Sequence, residues 1–125
     1  MEPEGHEART VVLVVEDDAL LLMTAIDMLE DAGFNALSAA NADAAIRILE
    51  SRDDIRIVFT DIDMPGSMDG LKLAACVRDR WPPVEIVVTS GHVHVHDDQL
   101  PPRGRFFKKP YQAEKVVDAM RAMVT

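Results

Sequence analysis

Cysteine is nearly missing from this chain of 125 residues: Cys76 is the only one. No disulfide can close within the chain, and a reducing compartment is the easiest fit. Its neighbours, Leu73-Ala74-Ala75 and Val77, point to a small buried apolar part for the thiol. No apolar stretch approaches the ~20 residues that cross a bilayer. Met1 to Thr10 is polar and lacks the apolar core of a secretory signal. Positive charge is also scarce, with 13 Lys and Arg against 22 Asp and Glu for a net charge of −9. That balance argues against sequence-independent nucleic-acid binding, which draws its affinity from cations on phosphates. It equally disfavours an anionic membrane surface. The expectation is a cytoplasmic protein with neither nucleic acid nor membrane as a partner.

What is present is ordinary for a globular chain: 48% apolar residues, in a length that builds one domain around one core. Val11 to Val15 is an unbroken β-branched run, as expected of a strand covered on both faces. Ala19 to Ala32 carries Leu22, Ile26 and Leu29 at helical spacing, and Gly33 supplies the stop. Asn35 to Ala39 is a weaker strand. Asn41 suits the N-cap of a helix bearing Ala45, Ile46 and Leu49. Ile55 to Thr60 is a clear strand, Pro65-Gly66-Ser67 a loop, and Asp69 the cap of a helix reaching Arg80 through Leu71, Ala74, Ala75 and Arg78. Trp81-Pro82-Pro83 breaks it. Val84 to Thr89 and Arg105 to Lys108 read as strands. The last helix spans Gln112 to Val124, with Val116, Val117, Met120 and Val124 inward. Between them, Pro101-Pro102 limits any helix in His92 to Arg103 to a couple of turns, with Val95 to Leu100 the best candidate. Five βα units in series predict a doubly wound parallel sheet with right-handed crossovers.

If those strands are parallel, four polar clusters meet at one edge. Glu16-Asp17-Asp18 ends the first apolar run, Asp61 with Asp63 the third, Thr89-Ser90-Gly91 the fourth and Lys108-Lys109-Pro110 the last. The carboxyl edge of an open α/β sheet is where ligands bind. Acids, a hydroxyl and a lysine gathered there suit a divalent cation and a phosphoryl group.

These four clusters, in this order and each behind its own strand, resemble the receiver domain of two-component response regulators, in its single-domain form. The resemblance runs from about Thr10 to Met123. It implies a flavodoxin-like fold with strand order 2-1-3-4-5; the alternation above adds five helices, the fourth short, and the polar residues 1–9 are expected to form a flexible leader. It implies that Asp61 is the phosphoacceptor and that Asp17 ligates Mg²⁺ directly, with Glu16 holding it through water. Thr89 corresponds to the hydroxyl that bonds the phosphoryl oxygen and Lys109 to the lysine that pairs with it. Pro110 falls where a cis bond is common, and Phe106 on the aromatic that changes rotamer on activation. The partners implied are a sensor histidine kinase or histidine phosphotransfer protein upstream and an unknown protein target downstream.

The chemistry fits those residue types. Phosphoryl transfer is mainly positioning and charge neutralisation. Mg²⁺ takes one or two carboxylates and keeps waters, a count that Asp17 and Asp61 meet, with Asp63 giving its backbone carbonyl. Lys109 adds a compact second charge. An aspartyl phosphate would draw Thr89 inward and leave room for Phe106 to rotate.

Some features depart from the family's pattern. The loop from Pro65 to Gly70 is one residue longer than usual, and the fourth helix is curtailed. Asp63 adds an acid beside the acceptor, and Gly91 removes a side chain. His92, His94 and His96 alternate like metal ligands but are read as a solvated loop, and Met64 and Met68 as gap fillers. The chain stops with its last helix, so no output domain is expected and signalling would pass through protein contacts or onward transfer. Two rival readings stand beside this one. Asp61-Ile62-Asp63 resembles the Asp-x-Asp of haloacid dehalogenase-like phosphatases, in which the second acid is the general acid. A pseudo-receiver, never phosphorylated, would serve as an interaction module.

Overall fold

A computed structural model of the chain describes residues 9–63, 69–91, 100–101 and 103–124. The elements follow the alternation legible in the sequence: β1 (Val11–Val15), α1 (Ala19–Asp31), β2 (Asn35–Ala39), α2 (Ala42–Ser51), β3 (Ile55–Asp61), α3 (Gly70–Arg80), β4 (Glu85–Ser90), β5 (Arg105–Lys108) and α4 (Ala113–Met123). The strands form one parallel sheet in the order β2-β1-β3-β4-β5. This is the order implied by the family resemblance. Four helices are present among the described residues. The short helix expected at Val95 to Leu100 falls on residues outside them, apart from Leu100, which lies in a bend. The His92, His94 and His96 alternation, Met64 and Met68 also lie outside the described residues.

Two cores sandwich the sheet, because successive residues of a strand point to opposite faces. Val11, Leu13, Val15, Val58, Ile86 and Val88 meet α2 and α3 on one face through Ala45, Leu49, Leu73, Ala74 and Val77. Val12, Val14, Ile57, Phe59 and Val87 meet α1 and α4 on the other through Ala25, Leu29, Val116, Val117 and Met120. Strands buried on both sides need no polar alternation, which explains the unbroken apolar runs. Arg56 is the exposed exception in β3, and it sits where the β1–β3 register slips between Val11 and Val12.

The helix ends are set by their caps. The Asn41 carboxamide accepts from Ala44 N at 2.8 Å and the Asp69 carboxylate from Lys72 N at 2.9 Å, as their positions in the sequence suggested. Gly33 closes α1 in the left-handed region at φ 96°, where a side chain would be strained. In α3 the inward residues are Leu73, Ala74 and Val77, and Ala75 is exposed. The small residues Gly70 and Ala74 let the helix settle low on the sheet and fix its rotation about Leu73. The same rotation leaves Cys76 partly exposed instead of buried.

Candidate functional site

Parallel strands end together, so the residues that close β1, β3, β4 and β5 share one edge. Asp61 is the last residue of β3 and stands opposite Thr89 in the β3–β4 register. Glu16 directly follows β1, with its backbone N–H donating to Ala39 O at 3.0 Å. Lys109 directly follows β5, and its N–H donates to Ser90 O at 2.9 Å. The peptide from Lys109 to Pro110 is cis, as the resemblance implied. Glu16, Asp61 and Thr89 are all buried, at 7%, 5% and 3% exposure, in a position where an unpaired charge would be costly.

The charge is paired through Lys109. Its ammonium lies 3.1 Å from Glu16 Oε1 and 3.3 Å from Asp61 Oδ2, one cation serving two carboxylates. Carboxylate oxygens of Glu16, Asp17 and Asp61 all lie within 4.8 Å of one another, close enough to surround one ion. Asp17 is the exposed member of the three and faces the solvent from which a cation would arrive. Burial pushes the Glu16 carboxyl above its ordinary value, against the pull of the Asp18 N–H and of Lys109. For Lys109, burial works to lower the value. The hydrogen bond to Glu16 and the charges of Asp61 and Glu16 outweigh it, so the ammonium is held above its usual range.

The third acid of the first cluster has a different task. Asp18 Oδ1 accepts from Leu20 N at 2.9 Å and Leu21 N at 3.1 Å, capping α1. An acid immediately before a helical run is an N-cap signal, and it could have separated Asp18 from Glu16 and Asp17 in the sequence. Both Glu16 oxygens also have protein donors, since Oε2 accepts from Asp18 N at 3.2 Å.

Asp63 divides its groups between two strand ends. Its N–H donates to Asp61 Oδ1 at 3.2 Å, while its Oδ2 accepts from Ser90 Oγ at 2.8 Å and Gly91 N at 3.3 Å. Ser90, fully buried, has a part here that its type and place had not suggested. Phe106 stands opposite Val88 in the β4–β5 register and is half-buried against the α2–α3 side of the core.

Two further residues shape the site without carrying chemistry. Gly70 opens α3 so close to the acceptor strand that a Cβ would overlap the Asp61 carbonyl oxygen and lie 2.7 Å from Ile62 Cα. Gly70 N donates to Ile62 O at 3.2 Å, so the glycine is what lets the helix dock directly behind Asp61. Tyr111 packs edge-on to Phe59, ring centroids 5.8 Å apart. With Leu21, Thr24, Ala25 and Met28 of α1 it borders a recess of about 450 Å³ beside Asp61 and Lys109.

Known proteins share this sequence pattern and fold. The pattern described as the Response regulator receiver domain matches residues 12–121. The nitrogen assimilation regulatory protein NtrX of Azorhizobium caulinodans is 32% identical over 85% of the chain, which spans 24% of that protein's length. The chemotaxis protein CheY of Listeria monocytogenes is 29% identical, with 86% of this chain and 93% of that one covered. Among solved structures, a response regulator receiver protein from Sinorhizobium medicae superposes with a TM-score of 0.86 at 28% identity, covering 93% of this chain and 94% of the other. The match of family, relatives and fold over the same residues means that this chain belongs to the response regulator receiver domain family.

Proposed function

We propose that the chain accepts a phosphoryl group on Asp61 from a phosphohistidine of a sensor histidine kinase or histidine phosphotransfer protein. The observation that carries this reading is the Lys109 ammonium held within 3.3 Å of Asp61, itself one of a cluster of three carboxylates with Glu16 and Asp17. In the reaction an Asp61 oxygen attacks phosphorus, the P–N bond to the donor imidazole breaks, and the product is an aspartyl phosphate. Lys109 pairs with the incoming phosphoryl oxygens, and Thr89, opposite Asp61, donates its hydroxyl to one of them.

The donor set fits Mg²⁺, which favours hard oxygen ligands and one or two carboxylates. Asp17 and Asp61 would hold the ion through their carboxylates and Asp63 through its backbone carbonyl. Glu16 would act through water, a part suited to a side chain whose two oxygens already meet Lys109 and Asp18 N. Bound there, the ion would cancel the repulsion between acceptor and phosphoryl oxygens. Phe106 would follow Thr89 inward, and the altered surface would engage a protein target or pass the phosphoryl group on. The chain would thus act on itself and would turn over no separate substrate.

The phosphatase alternative asks Asp63 to protonate a leaving group beside Asp61. Its carboxylate is instead bonded to Ser90 and Gly91, which favours the receiver reading. Incubation with phosphoramidate, a small P–N donor, separates the readings. A single label per chain that needs Mg²⁺ and is lost in Asp61→Asn supports a receiver. Continuous hydrolysis of a phosphomonoester over many cycles would identify a phosphatase, and no label under any condition a pseudo-receiver.

A further inference from the structure

Asp63 grips the ends of two neighbouring strands at once. Its backbone N–H holds the Asp61 carboxylate, and its side chain holds the end of β4 by two hydrogen bonds to one oxygen. One residue back, and between the same two strands, Ile62 N donates to Thr89 O at 2.8 Å, so the acceptor loop and the Thr89 segment are tied both through backbone and through Asp63. The Asp63 carboxylate accepts from a hydroxyl and an amide, and hydrogen bonds to a carboxylate are of the stronger kind. Ser90 is fully buried, so water does not readily replace the bond its hydroxyl makes.

We propose that the Asp63 side chain is a latch that holds the end of β4, and with it Thr89, in the resting position. This rests on the phosphoacceptor reading above. Ser90 and Gly91 are the next residues along the chain, so in this reading closure of Thr89 on a phosphorylated Asp61 shifts both of them relative to Asp63. The two bonds lengthen or break in the closed state, and their strength adds to the free-energy gap between the two states. Asp63 is therefore a positioning residue, acting on the phosphoryl group through Thr89. A simpler role, an acid that repels the phosphoryl dianion, makes the opposite demand on Ser90. Removing the Ser90 hydroxyl leaves the Asp63 charge in place, so repulsion would be unchanged or greater.

Titration of the Mg²⁺-loaded protein with beryllium fluoride, followed by fluorine NMR and calorimetry, reads the closed state directly. Asp63→Ala and Ser90→Ala each bind the mimic roughly three- to tenfold more tightly than wild type if a charge-assisted bond is given up on closing. Structural damage would weaken binding, so a gain is not a sign of poor folding. Asp63→Asn, which keeps an acceptor oxygen, gives a smaller gain than Asp63→Ala. The gain from Ser90→Ala shrinks once residue 63 is alanine, because both changes break the Ser90–Asp63 contact. Tighter binding in Asp63→Ala with unchanged or weaker binding in Ser90→Ala overturns the latch in favour of repulsion, as do two independent, additive gains. A wild-type protein that does not respond to the mimic overturns the phosphoacceptor reading and the latch together. A responsive wild type with unchanged variants overturns the latch alone.

Discussion

Lys109 and Glu16 form a 3.1 Å ion pair across the sheet edge, and the same ammonium reaches Asp61 at 3.3 Å. The Lys109 and Glu16 side chains are 23% and 9% exposed, so the pair is neither fully dry nor a solvated surface contact. Its main effect is to let two buried carboxylates stand side by side in a protein whose net charge is already −9.

Replacing Lys109 by Met leaves those carboxylates facing each other without a cation. We expect a loss of stability of about 1–2 kcal/mol, less than for a fully buried pair because water screens this one. Urea denaturation with and without Mg²⁺ checks it. The loss is largest without the ion and shrinks as Mg²⁺ is added, since a bound cation takes over part of the neutralisation.

Asp17 and Asp18 are adjacent acids that should respond in opposite ways. Asp18→Ala removes the cap of α1 and costs about 1 kcal/mol of stability, with little change in Mg²⁺ affinity. Asp17→Ala removes one member of the carboxylate cluster. It relieves like-charge repulsion, so the metal-free protein keeps or gains stability while Mg²⁺ affinity falls at least tenfold, a change worth about 1.4 kcal/mol. Thermal denaturation and Mg²⁺ titration of both variants form the test.

Gly70→Ala drives a Cβ into the backbone of Asp61 and Ile62, where no flexible side chain can give way. A destabilisation of about 2–3 kcal/mol is expected, together with impaired phosphorylation, because α3 must shift away from the acceptor. An alanine at residue 70 with unchanged stability would show that the helix does not dock this closely.

Tyr111 is the only tyrosine, so its ionisation is read without interference in ultraviolet absorbance. Burial raises its phenol above the ordinary value of 10.0, with the Lys109 charge acting in the other direction. The folded state therefore favours the neutral ring. Its contribution to stability is full below the unfolded value and is lost as pH rises through the higher folded one. Alkaline titration should place the phenolate midpoint above 10.0, and Tyr111→Phe should flatten the loss of stability over that range.

The parts of this molecule that were legible in its sequence are those governed by local chemistry. Unbroken β-branched runs announced strands covered on both faces, and Asn41, Asp69 and Gly33 marked helix ends by the bonds or dihedral angles they favour. The meeting of Glu16, Asp17, Asp61, Thr89 and Lys109 followed from one assumption, that the strands are parallel, because parallel strands end on a common edge. Strand order came from resemblance, as periodicity says nothing about which strand neighbours which. Harder to read were properties set by tertiary geometry. The rotation of α3 decides that Ala75 is exposed and Cys76 partly so while Leu73 and Val77 face inward, and it depends on how low Gly70 lets the helix sit. The same holds for Asp63 and Ser90, which are 27 residues apart and whose contact exists only once β3 and β4 are paired.

The central claim, that Asp61 accepts a phosphoryl group, is tested most directly by intact mass after incubation with acetyl phosphate and Mg²⁺. A gain of one phosphoryl group per chain, absent without Mg²⁺ and absent in Asp61→Asn, is the expected result. An unchanged mass, or a label that survives in Asp61→Asn, would contradict it.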